Sequence, residues 1–342
     1  MTSSLPELMQ ELLPVIENDL RTIVSRPESA PDLFYRMMQY HMGWVDEHGQ
    51  PSHQERGKRI RPLLTLLVSQ AVCGSYQPAR PAAVAVELIH NFSLLHDDIQ
   101  DRSPMRRSRP TAWRIWGEKQ AINAGDSMFA LAHLAVPRLA PPDMDPAILL
   151  NTMLVLDETC LELTRGQHLD MYFENRSEVT SADYLNMIAG KTAALVSAAA
   201  ALGALAARVE PARRKCFADF GYNLGMAFQV RDDILDIWGD PAATGKEASV
   251  DIKQRKKSFP VLIGLEREPA LRDLYADGEP FSEMQITRIK DLLDSCGARA
   301  QAEKTAGEYT RETVSSLQAA NPGGAAGEAL FELVEILLHR DR

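Results

Sequence analysis

Only four cysteines occur in 342 residues, and Cys73, Cys160, Cys216 and Cys296 form no CxxC pair or other ligand-like spacing. That scarcity removes a disulfide framework and a zinc site from consideration and points to a reducing, cytoplasmic location. Positive charge is not in excess either. A formal net charge of −10 excludes a broad nucleic-acid surface, so any phosphate chemistry must rest on local basic clusters in an acidic background. No secretory leader is expected, because Glu7, Glu11, Glu17 and Asp19 interrupt the early apolar pattern. No run alternates apolar and polar residues between hairpin turns, which argues against a sheet. The one stretch that resembles a membrane span, AALVSAAAALGALAARV at 193–209, is about three residues short of the roughly 20 needed. Alanine and glycine supply much of it, so it reads as a closely packed interior helix, with no transmembrane segment expected.

What is present is helical spacing. Val84, Leu88, Phe92 and Leu95 fall at i, i+4, i+8 and i+11, and Leu63, Leu66, Leu67 and Gln70 make a similar stripe earlier. Breaks lie at Gly74 to Pro81, Pro137 to Pro146, Val209 to Pro211, Gly239 to Gly245 and Asn321 to Gly324. About ten helices fit between them. Pro81 and Pro211 suit first helical turns, and Ser282 with Gln285 suits a capping box. With no linker of low complexity and no internal repeat, the pattern predicts one all-α domain over residues 1–342.

Two acidic pentapeptides of one form interrupt this apolar background: Asp97-Asp98-Ile99-Gln100-Asp101 and Asp232-Asp233-Ile234-Leu235-Asp236. In a helix, residues four apart share a face, so Asp97 with Asp101, and Asp232 with Asp236, each present two carboxylates from consecutive turns. Such pairs repel until a hard cation sits between them. Mg²⁺ favours a few carboxylates together with substrate phosphates, so two pairs facing each other would clamp a diphosphate through metal ions. One DDxxD is a weak signal, but both copies continue polar stripes inside apolar helices. The first follows His90 and Ser93, and the second follows Gln229. Carboxylates so placed line a cavity, where metal and ligand offset the cost of burying charge.

Basic residues complete the pattern. Gly57-Lys58-Arg59-Ile60-Arg61-Pro62 places Lys58 and Arg61 three apart, on one face if helical. Arg106-Arg107 follows the first acidic motif, and Lys246 and Arg255-Lys256-Lys257 follow the second. Arginine suits bidentate phosphate contact and lysine suits point-charge neutralisation.

These segments, GKRIRP at 57–62, ELIHNFSLLHDDIQD at 87–101, RRSRP at 106–110, GQHLD at 166–170, GKTAAL at 190–195, FQVRDDILD at 228–236 and the run 245–260, resemble in order and spacing the trans-isoprenyl diphosphate synthases. The resemblance covers roughly residues 55–265 at motif level. It implies a homodimeric helical bundle around a deep central cavity. It also implies a Mg²⁺-dependent head-to-tail condensation of isopentenyl diphosphate with an allylic diphosphate, giving a short all-trans product. By the same resemblance Asp97, Asp101, Asp232 and Asp236 are ligands to Mg²⁺, with three ions in the substrate complex, and Asp98 and Asp233 support them. Lys58, Arg61, His90 and Arg107 would bind isopentenyl diphosphate. Arg106, Lys191, Lys246 and Lys256 would bind the allylic diphosphate. Lys191, Thr192 and Gln229 would serve catalysis, the last two through oxygen dipoles that stabilise a developing allylic cation.

Ser108 and Arg255 stand where many members have glycine, and Arg56 replaces the first of two glycines before Lys58. Phe92 and Ser93, five and four positions before the first aspartate, resemble the chain-length positions of geranylgeranyl diphosphate synthases and imply a C20 main product, with C15 and then C25 as alternatives. A terpene cyclase uses the same aspartate–Mg²⁺ chemistry but needs no isopentenyl site. A non-catalytic partner subunit would be expected to have lost one aspartate motif, and both are complete here.

Overall fold

The computed structural model describes residues 4–25, 33–52, 57–174, 176, 178–240, 249–276 and 280–338. Lys246 and Arg56 lie outside the described residues. The architecture is all-α, as the spacing predicts. Ten helices carry most of the argument: α1 (Leu5–Val24), α2 (Leu33–His41), α3 (Ile60–Cys73), α4 (Arg80–Gln100), α5 (Ala112–Trp116), α6 (Glu118–Leu139), α7 (Pro146–Glu174), α8 (Ser181–Ile188), α9 (Ala194–Ala206) and α10 (Pro211–Trp238). Further helices follow, from Val250–Lys253 to Gly324–Leu338, the longest of them Ala298–Ala320.

The chain forms two compact units. One comprises Met1–Cys160, Ala198–Arg214 and Pro322–Leu330; the other comprises Leu161–Ser197, Lys215–Asn321 and Phe331–Arg342.

In the first unit α4 is the central element. Its apolar residues face in almost every direction and are buried, from Pro81 to Leu95, so its neighbours must cover it all round. Helix α6 runs antiparallel along it, with Phe92 against Phe129 and His96 against Asp126. At Gly125 an added methyl would overlap the His96 ring, so glycine permits this close approach. Helix α1 is amphipathic and buries Leu5, Leu8, Leu12, Ile16 and Leu20. It starts with a capping box between Ser4 and Glu7, which satisfies two otherwise orphaned backbone groups. Helix α3 stops where Gly74 turns left-handed at φ 74°, a region glycine enters without steric cost.

The second unit buries Tyr184, Ile188, Met226, Val230, Phe259, Leu262, Ile289 and Leu293 in one core. Capping boxes at Thr180/Asp183 and Ser282/Gln285 open two of its helices. The stretch Ser181–Ala206 is long and apolar enough to cross a membrane by length and composition, yet 61% of its most apolar window is buried within the fold. Its small residues explain the burial: Gly225 faces Ala193 at a distance that admits no side chain, the close packing expected of an interior helix.

One short strand pair departs from the expectation of no sheet: Met105–Arg106 pairs antiparallel with Arg109–Pro110. Arg107 and Ser108 form its turn at φ 50° and 59°. Two successive left-handed residues make the hairpin turn that matches strand twist, and neither residue is of the type that usually signals it.

Candidate active site

The first acidic motif sits at the end of α4. Asp97 lies in the last turn and Asp101 caps it, its N–H donating to the Asp97 carbonyl at 2.8 Å. The partial negative charge of a helix C-terminus disfavours carboxylates and favours a cation there. Between them Asp98 is buried and accepts from Arg106 Nε at 2.8 Å. Burial pushes its carboxyl up to about 6 despite the nearby Arg106. Its second oxygen, Oδ2, is buried without a partner.

Around this motif the first unit gathers basic groups. Lys58 is exposed, and Arg61 lies in the first turn of α3. The two do not share a helix face: α3 begins only at Ile60, because Arg59 takes a left-handed conformation at φ 51°. That backbone is uncommon for a residue with a Cβ, and buried ion pairs hold it. Arg59 Nε donates to Glu17 Oε1 and Nη1 to Glu87 Oε1, both at 2.7 Å. Sequence reading assigns no site role to Arg59, Glu17 or Glu87.

Arg61 Nη1 lies 3.3 Å from His90 Nε2. Burial, reinforced by Arg61, Arg107, Arg106 and His41, holds His90 well below the usual histidine range, so it is neutral and can accept from the guanidinium. Gly57, at φ 78°, is the neighbour of Arg107: a methyl there would lie 2.9 Å from Nη2. The hairpin carrying Arg106 and Arg107 is tied down by Tyr40, whose hydroxyl donates to the Pro110 carbonyl at 2.7 Å, and by Arg109, which donates to the Val45 carbonyl at 2.9 Å. The Arg109 guanidinium also stacks 3.7 Å above the Tyr40 ring. Tyr40, His41, Asp98, Arg106 and Arg107 line a small pocket. Three nitrogen atoms of this cluster, Arg61 Nε, Arg107 Nη1 and His41 Nε2, are buried with no hydrogen-bond partner. Buried polar atoms left unsatisfied are few in native proteins, and the two guanidinium donors among them fit an anion.

The second acidic motif lies within α10, with Asp233 buried and Asp232 and Asp236 partly exposed. Asp233 is held on every side: Tyr184 Oη donates at 2.6 Å, Gln229 Nε2 at 3.0 Å and the Phe259 N–H at 3.2 Å. Burial raises its carboxyl to about 7, against the lowering effect of these bonds. Thr192 Oγ1 donates to Gln229 Oε1 at 3.1 Å, so the two residues expected to act together are in contact. Gln229 thereby presents a fixed amide, its oxygen on Thr192 and its nitrogen on Asp233.

Thr192 and Lys191 belong to a π-helical turn, Ala189–Ala193, between α8 and α9. Such single turns widen a helix and concentrate at functional sites. Gly166 of α7 packs so near Lys191 and Gly190 that a side chain there would strike backbone. Lys191 pairs with Asp170. Asp170 ends the GQHLD segment, a clue that the sequence held without assigning a partner. Asp236 Oδ2 accepts from the Asp251 N–H at 3.0 Å, and Lys256 Nζ lies 3.8 Å from Asp251 Oδ1.

The two replacements of glycine now have a geometric meaning. Ser108 and Arg255 adopt φ of 59° and 58°, the conformation that favours glycine. Arg255 is retained through donation to the carbonyls of Leu274 and Tyr275 and stacking over Phe281.

Among the described residues no three His, Cys, Asp or Glu side chains form a ready metal cage. The pairs Asp97/Asp101 and Asp232/Asp236, and the orphaned Asp98 Oδ2, nevertheless suit Mg²⁺, which keeps several waters and takes its remaining ligands from one or two carboxylates and substrate phosphates.

Residues 43–296 match the Polyprenyl synthetase family. The chain is 43% identical to a (2E,6E)-farnesyl diphosphate synthase of Mycobacterium tuberculosis over 285 residues, covering 81% of this chain and 78% of that one. It is 35% identical to a geranylgeranyl diphosphate synthase of the same species over 318 residues, covering 92% and 89%. A crystal structure of polyprenyl synthetase from Streptomyces coelicolor superposes with a TM-score of 0.86 at 32% identity, covering 97% of each chain.

Proposed function

The chain belongs to the polyprenyl synthetase family and is a short-chain trans-prenyltransferase, and from that premise we propose that it joins isopentenyl diphosphate head-to-tail to an allylic diphosphate to give geranylgeranyl diphosphate as its main product. The observation that carries the two-substrate reading is the basic cluster of the first unit. Arg61 Nε and Arg107 Nη1 are buried donors without protein partners, near a neutral His90, and His41 Nε2 is likewise unpartnered. A cyclase, which has one diphosphate substrate, would leave that cluster without a ligand.

In this reading Lys58, Arg61, His90 and Arg107 hold the diphosphate of isopentenyl diphosphate. Arg106, Lys191, Lys246 and Lys256 hold that of the allylic primer. Asp97, Asp101, Asp232 and Asp236 hold Mg²⁺, three ions in the substrate complex. When bound, Mg²⁺ neutralises the charge that builds on the leaving diphosphate. The allylic C–O bond breaks, the allylic carbon bonds to the terminal alkene carbon of isopentenyl diphosphate, and the departing diphosphate takes the proton lost from the adjacent methylene. Thr192 and Gln229 turn side-chain oxygens toward the allylic cation and offer it dipoles rather than a nucleophile. Their mutual bond, and the grip of Asp233 on the Gln229 amide, fix those dipoles in advance. The chain is one isoprenyl diphosphate synthase domain, and the enzyme works as a cytosolic homodimer.

Ser93 supports a C20 product. Its hydroxyl is turned back onto the His90 carbonyl at 2.9 Å, so it adds little bulk at its level. C15 is the second reading, favoured by the Phe92–Phe129 contact and by identity to a farnesyl diphosphate synthase. Incubating the protein with isopentenyl diphosphate, Mg²⁺ and each allylic primer in turn, then measuring product length, tests both. Absence of elongation with every primer would refute the function, and a C15 endpoint would refute the C20 assignment.

A further inference from the structure

Below the first aspartate motif, rings from α4 and α6 follow one another in contact. His96 and Phe92 have centroids 5.8 Å apart, Phe92 and Phe129 5.3 Å at 74°, and Phe129 and His133 4.7 Å at 62°. Because the two helices are antiparallel, the series descends away from Asp97. Phe92 is five residues from Asp97, about 7.5 Å along the axis, and His133 is a further four residues, about 6 Å, along α6 from Phe129.

Phe92 is buried, but Phe129 is 36% exposed, so packing alone does not fix its ring. His133 does so. Its Nδ1 lies 3.0 Å from the Phe129 carbonyl oxygen and its Nε2 lies 2.6 Å from Asp157 Oδ1 on α7. The imidazole therefore has a close contact at each end, to a carbonyl of its own helix and to a carboxylate of α7. A ring so held is a fixed wall against which Phe129 rests, edge-on to Phe92.

We propose that His133 is a positioning residue for product length: anchored by Asp157, it holds Phe129 against Phe92, and the two phenyl rings together bound the path of the growing prenyl tail. This rests on the reading of Phe92 as a chain-length residue. The carboxylate reaching across from α7 therefore bears on specificity without touching substrate.

The test is the product distribution of five variants, with thermal melting and the rate of the first condensation as controls on folding. Phe129→Ala should move the main product up by one C5 unit. His133→Ala should raise the share of the next longer product several-fold. The double variant should match Phe129→Ala alone, since His133 acts only through that ring. Asp157→Ala should copy His133→Ala, whereas Asp157→Asn, which keeps an acceptor oxygen, should restore the parent distribution. If His133→Ala fails to fold, His133→Asn serves instead, being unable to span both partners. The proposal is overturned if Phe129→Ala leaves product length unchanged, if the His133 variant keeps the parent distribution, or if the two effects simply add. Phe92→Ala separates the two ideas: lengthening there with silent Phe129 and His133 variants sinks this inference alone, whereas no effect of Phe92→Ala sinks the chain-length reading beneath it.

Discussion

Arg59 Nη1 donates to Glu87 Oε1 across 2.7 Å, with both side chains under 5% exposed. This bond fastens the turn that carries Lys58 and Arg61 to α4, the helix that carries His90 and Asp97. Asn91 donates to the same carboxylate oxygen at 2.9 Å, and Glu17 takes the other side of the guanidinium. A cation shared by two carboxylates suits the planar fork of arginine and not the point charge of lysine.

Removing Glu87 leaves Arg59 with Glu17 as its carboxylate partner but takes away a buried charge-assisted hydrogen bond, which costs about 1.5–3 kcal/mol. Glu87→Ala should therefore lower unfolding free energy by roughly that amount and weaken isopentenyl diphosphate binding as the turn loosens. Denaturant titration checks the first effect and steady-state kinetics the second. A change under about 1 kcal/mol, the scale of a surface pair, would show that the pair is not structural.

Asp97→Ala and Asp232→Ala should each abolish Mg²⁺-dependent condensation while leaving the helical fold. The loss expected exceeds about 10²-fold, the scale of removing one element of electrostatic stabilisation from a site of this kind. Circular dichroism and turnover at saturating Mg²⁺ decide it. Turnover within a few-fold of the parent in either variant would end the metal assignment for that residue.

Lys58→Ala and Arg106→Ala form a contrasting pair. A lost charge-assisted contact is worth about 1.5–3 kcal/mol, or roughly ten- to hundredfold in affinity. Lys58→Ala should raise the KM for isopentenyl diphosphate by that factor and spare the primer, and Arg106→Ala should do the reverse. Arg106→Ala should also destabilise the fold, because it leaves buried Asp98 without its ion-pair partner. Equal effects on both substrates would break the assignment.

Burial, with Arg107, Arg106, Arg59 and Arg109 adding repulsion, holds His41 well below the usual histidine range; Asp98 shares its pocket. His90 is lowered in the same way. Below about pH 6.5, the ordinary histidine value, the unfolded chain binds protons that these folded histidines refuse, so unfolding gains as pH falls. The histidines' contribution should be full above about pH 6.5 and decline from there toward the lowered folded values, while Asp98 and Asp233, raised to about 6 and about 7, bind protons in the folded state and pull the other way. His41→Gln should make the drop in Tm between pH 7.5 and 5 shallower. An unchanged slope would mean that His41 charges in the folded state.

Phe92→Ala should lengthen the product and Ser93→Phe should shorten it, because each alters cavity volume about 6–7.5 Å from the aspartates. Product chromatography reads both directly. An unchanged distribution in both variants would place the floor elsewhere.

Helix class, the positions of most breaks and the residues of the two acidic motifs were legible in the sequence because they are local. Periodicity, capping and i, i+4 placement depend on neighbours a few residues away. The Ser282 capping box and the Pro211 helix start are both of this kind. The sequence also held the ordered motifs that mark the family. What only the tertiary structure decided is who faces whom. Glu87 meets Arg59 across 28 residues and Tyr184 meets Asp233 across 49, distances over which no spacing rule operates. The left-handed backbone of Arg59 was equally hidden, since arginine does not prefer it and this one is held there by Glu17 and Glu87. Burial sets the protonation behaviour of Asp98, Asp233, His41 and His90, because loss of water around a charge depends on every chain segment packed against it. The motifs named the groups; packing gave them their partners and their charge.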